Sequence, residues 1–329
     1  STAVETTCTA MYWRNTEKCA AQRILRSGPI ADTLVYTAAA PAGENVDREC
    51  MAVEEQDRNR MTGVLKQAKE KGLKTVVLLN ISGPVELGDW LPYADAVLCI
   101  FIPGCMGGVA AARLLTGQAE PGGRLPVTFP LRYEDTPAYP NFPGEGNDAY
   151  YGEGVFVGYR SYTKRKLTVQ YPFGHGLSYT QFSVELCEKE LHWNLKEQDT
   201  LYVPVKVKNI GSRAAVRWCS CIVMRKNRIC CAGAGAGRLC KGFAEPAEET
   251  IVRVPVSKKA LRCYDAMKDK WVQPIGAHTL YLALSAENIL ESAALTIEGK
   301  NPYPLSGEST MVKFWKIRRR RSGSTRFTN

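Results

Sequence analysis

The sequence predicts an α/β domain with a mostly parallel sheet, built as an α/β/α sandwich, followed by an all-β sandwich. Three observations carry that prediction. Short runs that are apolar throughout alternate with helical periods up to about residue 120. A Pro- and Gly-rich stretch, 121–150, interrupts the pattern. After residue 180 the hydrophobic period falls to two, with turn signals between the runs.

The elements follow in order. DTLVYTAAA (32–40) ends in small residues and reads as a buried strand. EEQDRNRMTGVLKQAKEKG (54–72) reads as a helix, because Met61, Val64, Leu65 and Ala68 share one face and Gly72 stands at the stop. KTVVLLN (74–80) is a second strand running into the turn ISGP, and ADAVLCIFIPG (94–104) is a third. GGVAAARLLTG (107–117) is a small-residue helix closed by Gly117. LYVPVKVKN (201–209), TIVRVPVS (250–257) and HTLYLALS (278–285) alternate as half-buried antiparallel strands do. The expected organisation is a lead of uncertain origin (1–30), the α/β domain (31–182), the β-sandwich (183–300) and a basic tail that is a candidate for disorder (301–329).

Composition is that of a globular chain, 45% hydrophobic and 23% charged. No run of eighteen apolar residues exists, which argues against a membrane partner. STAVETTCTAMYWRNTEKC lacks the basic-then-apolar build of a signal peptide, so a cytoplasmic location is expected; it also lacks an initiator Met, as a processed or incomplete chain would. The net charge of +10 is unevenly placed. Residues 211–243 and 309–329 each hold seven Lys or Arg and no acid, so removing those fourteen cations leaves −4 for the rest. A basic balance confined to two segments is a poor basis for a nucleic-acid partner. Of twelve cysteines, five fall between 219 and 240, and the other seven are scattered, as free thiols in a reducing compartment would be.

PAGENVDRE (41–49) follows the first strand directly, and ligands of α/β sheets collect beyond the carboxyl ends of such strands. Glu44, between Gly43 and Asn45, belongs to an exposed loop tip. A carboxyl there acts as a general acid if its pKa is raised, and is otherwise a solvated loop glutamate; the residues alone leave both open. His175, boxed by glycines in YPFGHGLSYTQF (171–182), reads as structural, packing the two domains together and remote from Glu44, rather than as catalytic. GCMGG (104–108) could cradle an anion at a helix start, but it lacks the P-loop lysine and the spaced-glycine fingerprint of nucleotide sites. No cofactor and no metal are expected.

The order GENVDR, TVVLLNISGPVELGDW, GCMGGVAAARLLTG, PGGRLPVTFP, YYGEGVFVGYRSY and PFGHGLSYTQF resembles the α/β sandwich domain of glycoside hydrolase family 3, the family of many β-glucosidases. VKNIGS, KGF and WVQPIGAHTLYLALS resemble its fibronectin type III-like domain, and the likeness spans residues 31 to 290. The resemblance implies retaining hydrolysis of a β-linked glucoside or oligosaccharide. An Asp on a (β/α)₈ barrel is then the nucleophile, with a Glu from this domain as acid/base. That Glu falls on Glu44, with Asp47 and Arg48 as its loop neighbours. Asn45 stands where the family commonly has Gly, Val46 where it has an aromatic, and Met106 where it commonly has Glu. Nothing in the chain resembles the barrel. The expectation is therefore an incomplete fragment, the C-terminal part of such an enzyme, inactive until the missing barrel domain is supplied. The competing reading is a non-catalytic carbohydrate- or protein-binding module derived from such an enzyme.

One stretch fits neither reading. VRWCSCIVMRKNRICC (216–231) has cysteine spacings that match no zinc pattern, and its basic neighbours oppose a metal cation. The family has a strand here running roughly Gly-x-x-Val-Val-Gln-Leu-Tyr. Read one base early, the codons of RWCSCI allow Val-Val-Gln-Leu-Tyr, so a shifted reading frame would account for the cysteines and the missing acids together; the alternative is a genuine insertion. On the shifted-frame account 215–240 packs poorly as a strand, with no function of its own.

Overall fold

The computed structural model describes residues 32–43, 48, 50–146, 148–225, 240–265 and 269–300; within these, nothing is said of the side chains of 216–220, 222–225 and 240–243. The chain divides into two compact units between Leu177 and Ser178. It is rich in sheet, some of it mixed, and has few helices. None of the described helices is long and apolar enough to cross a membrane.

The first unit is built on β1 (Thr33–Ala40), β2 (Lys74–Ile81) and β3 (Ala96–Cys99), hydrogen-bonded in that order and parallel throughout. Helix α1 (Glu55–Glu70) connects β1 to β2, as a parallel pair requires. Its acids Glu55 and Asp57 lie in the first turn and Lys69 in the last, matching the helix dipole. Gly72, at φ +74°, ends it in the left-handed region, and the Leu73 amide reaches back to the Ala68 carbonyl. Met61 and Leu65 pack with Val77, Leu79, Ile81 and Trp90, all buried. Each such side chain contributes about 1.5–3 kcal/mol of burial. At the amino edge of the sheet Asp95 accepts bonds from the Thr75 amide (2.9 Å) and hydroxyl (3.1 Å), tying β2 to the entry of β3.

The third strand is shorter than the sequence suggested, four residues rather than the whole of 94–104. Phe101 takes φ +49°, which a strand cannot contain, and Pro103 and Gly104 follow. Helix α2 (Gly107–Leu115) comes next, then β4 (Phe129–Pro130), α3 (Tyr159–Arg165) and β5 (Val169–Tyr171), with β4 and β5 paired antiparallel.

The second unit contains two sheets around one core. The first is ordered β10 (Cys240–Ala244), β9 (Ala215–Arg225), β14 (Gly276–Ala283), β15 (Ile289–Glu298) and β7 (Glu190–Asn194). The second is β11 (Glu249–Ser257), β8 (Thr200–Asn209) and β6 (Phe182–Leu186), and β12 (Cys263–Asp265) with β13 (Lys270–Val272) forms a separate ribbon. Val203, Val205, Val207, Val254 and Val256 from one sheet meet Leu280, Leu282, Leu295 and Ile297 from the other, with Trp193 fully enclosed. One expectation is corrected here: the sandwich is not antiparallel throughout, because β7 runs parallel to β15.

One further expectation is tested only at the backbone, and another is corrected. Residues 215–225 form a regular strand, paired on one side with β14 from His278↔Arg225 to Ala283↔Ser220 and on the other with β10. Ladder bonds are made by the backbone, which an unusual residue set still supplies, and Cys221 fills a core position as a small apolar side chain. The rest of that segment, 226–239, lies outside the described residues. The scattered cysteines are not all free: among the described residues Cys50, Cys99, Cys105 and Cys187 are thiols, whereas Cys263 is disulfide-bonded.

Candidate active site

Two loops leave the carboxyl edge of the parallel sheet side by side. One follows β1 and the other follows β2, and the two strands end in register at Ala40↔Ile81. The first loop contains the predicted site residues. Glu44 and Asp47 lie outside the described residues; Arg48 is described. Its guanidinium Nη2 donates to the Pro84 carbonyl at 2.9 Å, across 36 residues of sequence. The other terminal nitrogen, Nη1, is enclosed and has no hydrogen-bond acceptor among the described residues.

The segment from Ser82 to Glu86 holds this loop at both of its ends. The Ser82 amide and hydroxyl each approach the Ala40 carbonyl at 3.5 Å, where the loop begins. The Glu86 amide donates to the Met51 carbonyl at 3.0 Å, where the chain returns. The Glu86 carboxylate faces the other way and accepts from the Tyr133 amide at 2.7 Å. Val85 and Leu87, 0% and 2% exposed, root the segment in the core, and Met51 and Val53 root the returning chain. The sequence marked ISGP only as a turn. The roles of the Pro84 carbonyl and of Glu86 depend on partners 36 and 47 residues away, which no local pattern displays.

One glycine of GCMGG has a structural explanation. A Cβ on Gly107 would stand 2.4 Å from the Pro103 ring, so glycine lets the loop fold onto the start of α2. His175 is half-buried and stacks on Tyr171 at 4.8 Å between centroids. Its carbonyl accepts from the Leu125 amide, and the Gly174 amide donates back to Leu125, both at 2.8 Å. Burial first, and the Arg124 cation second, hold its imidazole below the usual histidine range. It is therefore neutral at pH 7 and held within the scaffold of the first unit. Burial, reinforced by Asp135, pushes the Tyr162 phenol up to about 12 despite Arg165, so it does not exchange protons near neutrality.

Among the described residues no group of three or more His, Cys, Asp or Glu is placed to hold a metal ion. An open groove of about 600 Å³ lies in the second unit, lined in part by Glu188, His192, Asp199 and Tyr202, and it includes no buried polar side chain.

Comparison with known proteins gives this geometry a context. Residues 15–179 match the glycosyl hydrolase family 3 C-terminal domain. A beta-glucosidase from Ruminococcus albus is 31% identical over 289 residues, which cover 84% of this chain and 29% of that relative. Thermostable beta-glucosidase B from Acetivibrio thermocellus is 32% identical over 79% of this chain and 34% of its own length. The chain thus spans about a third of the length of these relatives. Among solved structures, the beta-glucosidase of Bifidobacterium adolescentis superposes with a TM-score of 0.75 at 26% identity, covering 89% of this chain and 43% of that one. Beta-glucosidase 3B from Thermotoga neapolitana, in complex with alpha-D-glucose, gives 0.74 at 27% identity, covering 84% and 39%. On the family match across its first unit and the relatives that extend the match into the second, this chain belongs to glycosyl hydrolase family 3 and carries that family's C-terminal domain.

Proposed function

We propose that the chain supplies the acid/base segment for retaining hydrolysis of β-glucosidic bonds, with Glu44 as the proton donor and acceptor. The first unit is then the family's α/β sandwich domain and the second its fibronectin type III-like domain. The observation that supports the reading is where the described flanks of GENVDR lie. Gly43 follows β1 closely at the carboxyl edge of the parallel sheet, and Arg48 bonds to the turn after β2. In the first step Glu44 protonates the glycosidic oxygen while the C1–O bond breaks and a second carboxylate bonds to C1. In the next, Glu44 takes a proton from the water that attacks C1, releasing that carboxylate. The second carboxylate comes from a barrel domain, so this chain alone binds no complete transition state and turns nothing over.

The test joins the 329-residue chain to the barrel half of a family relative and assays phenyl β-glucoside. Glu44→Ala is expected to lower kcat about 10²- to 10⁴-fold, the share a general acid supplies, with recovery on adding azide. Undiminished turnover in Glu44→Ala removes it from the mechanism. Turnover by the chain alone removes the need for the barrel. Glucoside binding without turnover in the joined protein returns the chain to a binding module.

A further inference from the structure

We propose that the run 142–158 of the first unit is the face on which the barrel domain of the assembled enzyme seats. The inference rests on the reading above that a barrel completes this chain, and it uses no part of the acid/base loop. The described residues of the run form no helix and no strand, yet its shape is fixed from within. Glu145 and Asp148 exchange backbone bonds at 3.0 and 3.1 Å, and the Gly154 and Phe156 amides donate to the Tyr151 and Glu153 carbonyls at 3.0 Å. A Cβ on Gly152 would stand 2.8 Å from the Asn141 side chain, so glycine lets the run close onto its own start. Long irregular runs packed in this way are usually functional.

The side chains that the run turns outward suit a partner better than water. Tyr150 is 68% exposed and Tyr151 85%, and Phe142, Val155 and Val157 are exposed with them. From Ala149 to Val157 the only charged residue is Glu153. Exposed rings with few charges are the composition of an interface core, not of a solvated loop. The position of the run says which partner fits. The Glu86 carboxylate, in the turn after β2, accepts from the Tyr133 amide at 2.7 Å. The Tyr133 ring in turn meets Tyr139 edge-on at 5.0 Å, just before the run begins. The face therefore starts beside the carboxyl edge of the parallel sheet. A barrel that brings a second carboxylate to that edge must pack against this side. The family match, 15–179, spans the whole run, in a chain that covers 29% and 34% of the two relatives named above. A second copy of the chain would bury the same rings but leave the edge without its second carboxylate.

The experiment oxidises side chains with brief hydroxyl-radical pulses and reads them by mass spectrometry. It compares the 329-residue chain alone with the chain joined to a barrel half. Oxidation follows accessible area, so Tyr150 and Tyr151 should react promptly in the chain alone. In the joined protein, covered as an interface core is, they should react about 5- to 10-fold more slowly. Amide exchange in β1 and β2 should match in the two proteins, since docking covers a face and leaves the fold alone; lost protection there overturns the proposal. Unchanged oxidation rates overturn it as well. Protection that grows with concentration in the chain alone gives the face to a second copy, which also overturns it. The paired variant Tyr150→Ser/Tyr151→Ser should lower the unfolding midpoint of the joined protein and leave that of the chain alone in place. No fall in either, or an equal fall in both, rules out docking through these rings. Phenyl β-glucoside keeps the two readings apart. Turnover with unchanged oxidation sinks this face and leaves the assignment of Glu44 standing. Slowed oxidation without turnover upholds the face and sinks the acid/base reading.

Discussion

Asn209 shows how much one side chain can organise. It is fully buried in the second unit and uses its whole amide. Its Nδ2 donates to the Arg213 carbonyl at 2.7 Å and to the Ala244 carbonyl at 3.0 Å. Its Oδ1 accepts from the Thr180 hydroxyl at 2.9 Å and the Gly211 amide at 3.1 Å. Four satisfied bonds in one enclosed site leave four stranded groups when the amide is removed. Asn209→Ala is expected to cost about 3 kcal/mol in the second unit's unfolding, read by denaturant titration of tryptophan fluorescence, and Thr180→Val about 1 kcal/mol. Asn209→Asp keeps the acceptor yet sets a carboxylate against two carbonyl oxygens, so it should be no milder than alanine. Asp95 makes the matching case in the first unit. The Thr75 amide first, then its hydroxyl, then Lys69, hold the carboxyl below the usual aspartate range. A depressed native pKa stabilises above the unfolded value, near 3.9, and that stability is lost as pH falls through the native value. The first unit should therefore weaken as pH drops below about 4, and Asp95→Asn should flatten that acid limb of the midpoint-against-pH curve.

At the scale of elements, what was legible depended on where the partners lie. Helix α1 could be read because Met61, Val64, Leu65 and Ala68 repeat on one face within eight residues, and the structure buries all four. Strand β3 was read too long, since an apolar run does not reveal that Phe101 takes a left-handed backbone. Strand β9 was obscured for the opposite reason. Its cysteines and arginines hide the alternation, while its neighbours β10 and β14 supply ladder partners from 21 or more residues away in sequence. The same holds for the candidate site: GENVDR was conspicuous, but the turn that fastens it was only a turn until its long-range bonds were seen. Cys221 tests the position of β9 directly. With the native protein, alkylation mapped by mass spectrometry should mark the exposed Cys50, Cys105 and Cys187 promptly and leave the enclosed Cys221 unmarked until denaturant is added. Prompt marking of Cys221 would take the strand out of the core.

Across the whole molecule, charge is the property least tied to the fold. The net +10 owes seven positive charges to residues 309–329, so truncation before residue 309 leaves +3. Retention on a heparin column should shift to markedly lower salt on that truncation, while the unfolding midpoints stay in place, because polyanion binding tracks cations and not packing. The brackets around the loop after β1 have a different kind of consequence. Between the bond at Ala40 and the bond at Arg48 lie seven residues, 41–47, and the neighbouring turn holds both flanks. Doubling the length of such a closed span costs only about 0.6 kcal/mol. The two anchors should therefore tolerate exchange of what lies between them. Segments of other lengths, spliced between the same two anchors, should alter how far a carboxylate is carried from the sheet while barely touching the melting temperature, which leaves reach free to diverge among proteins that share the frame.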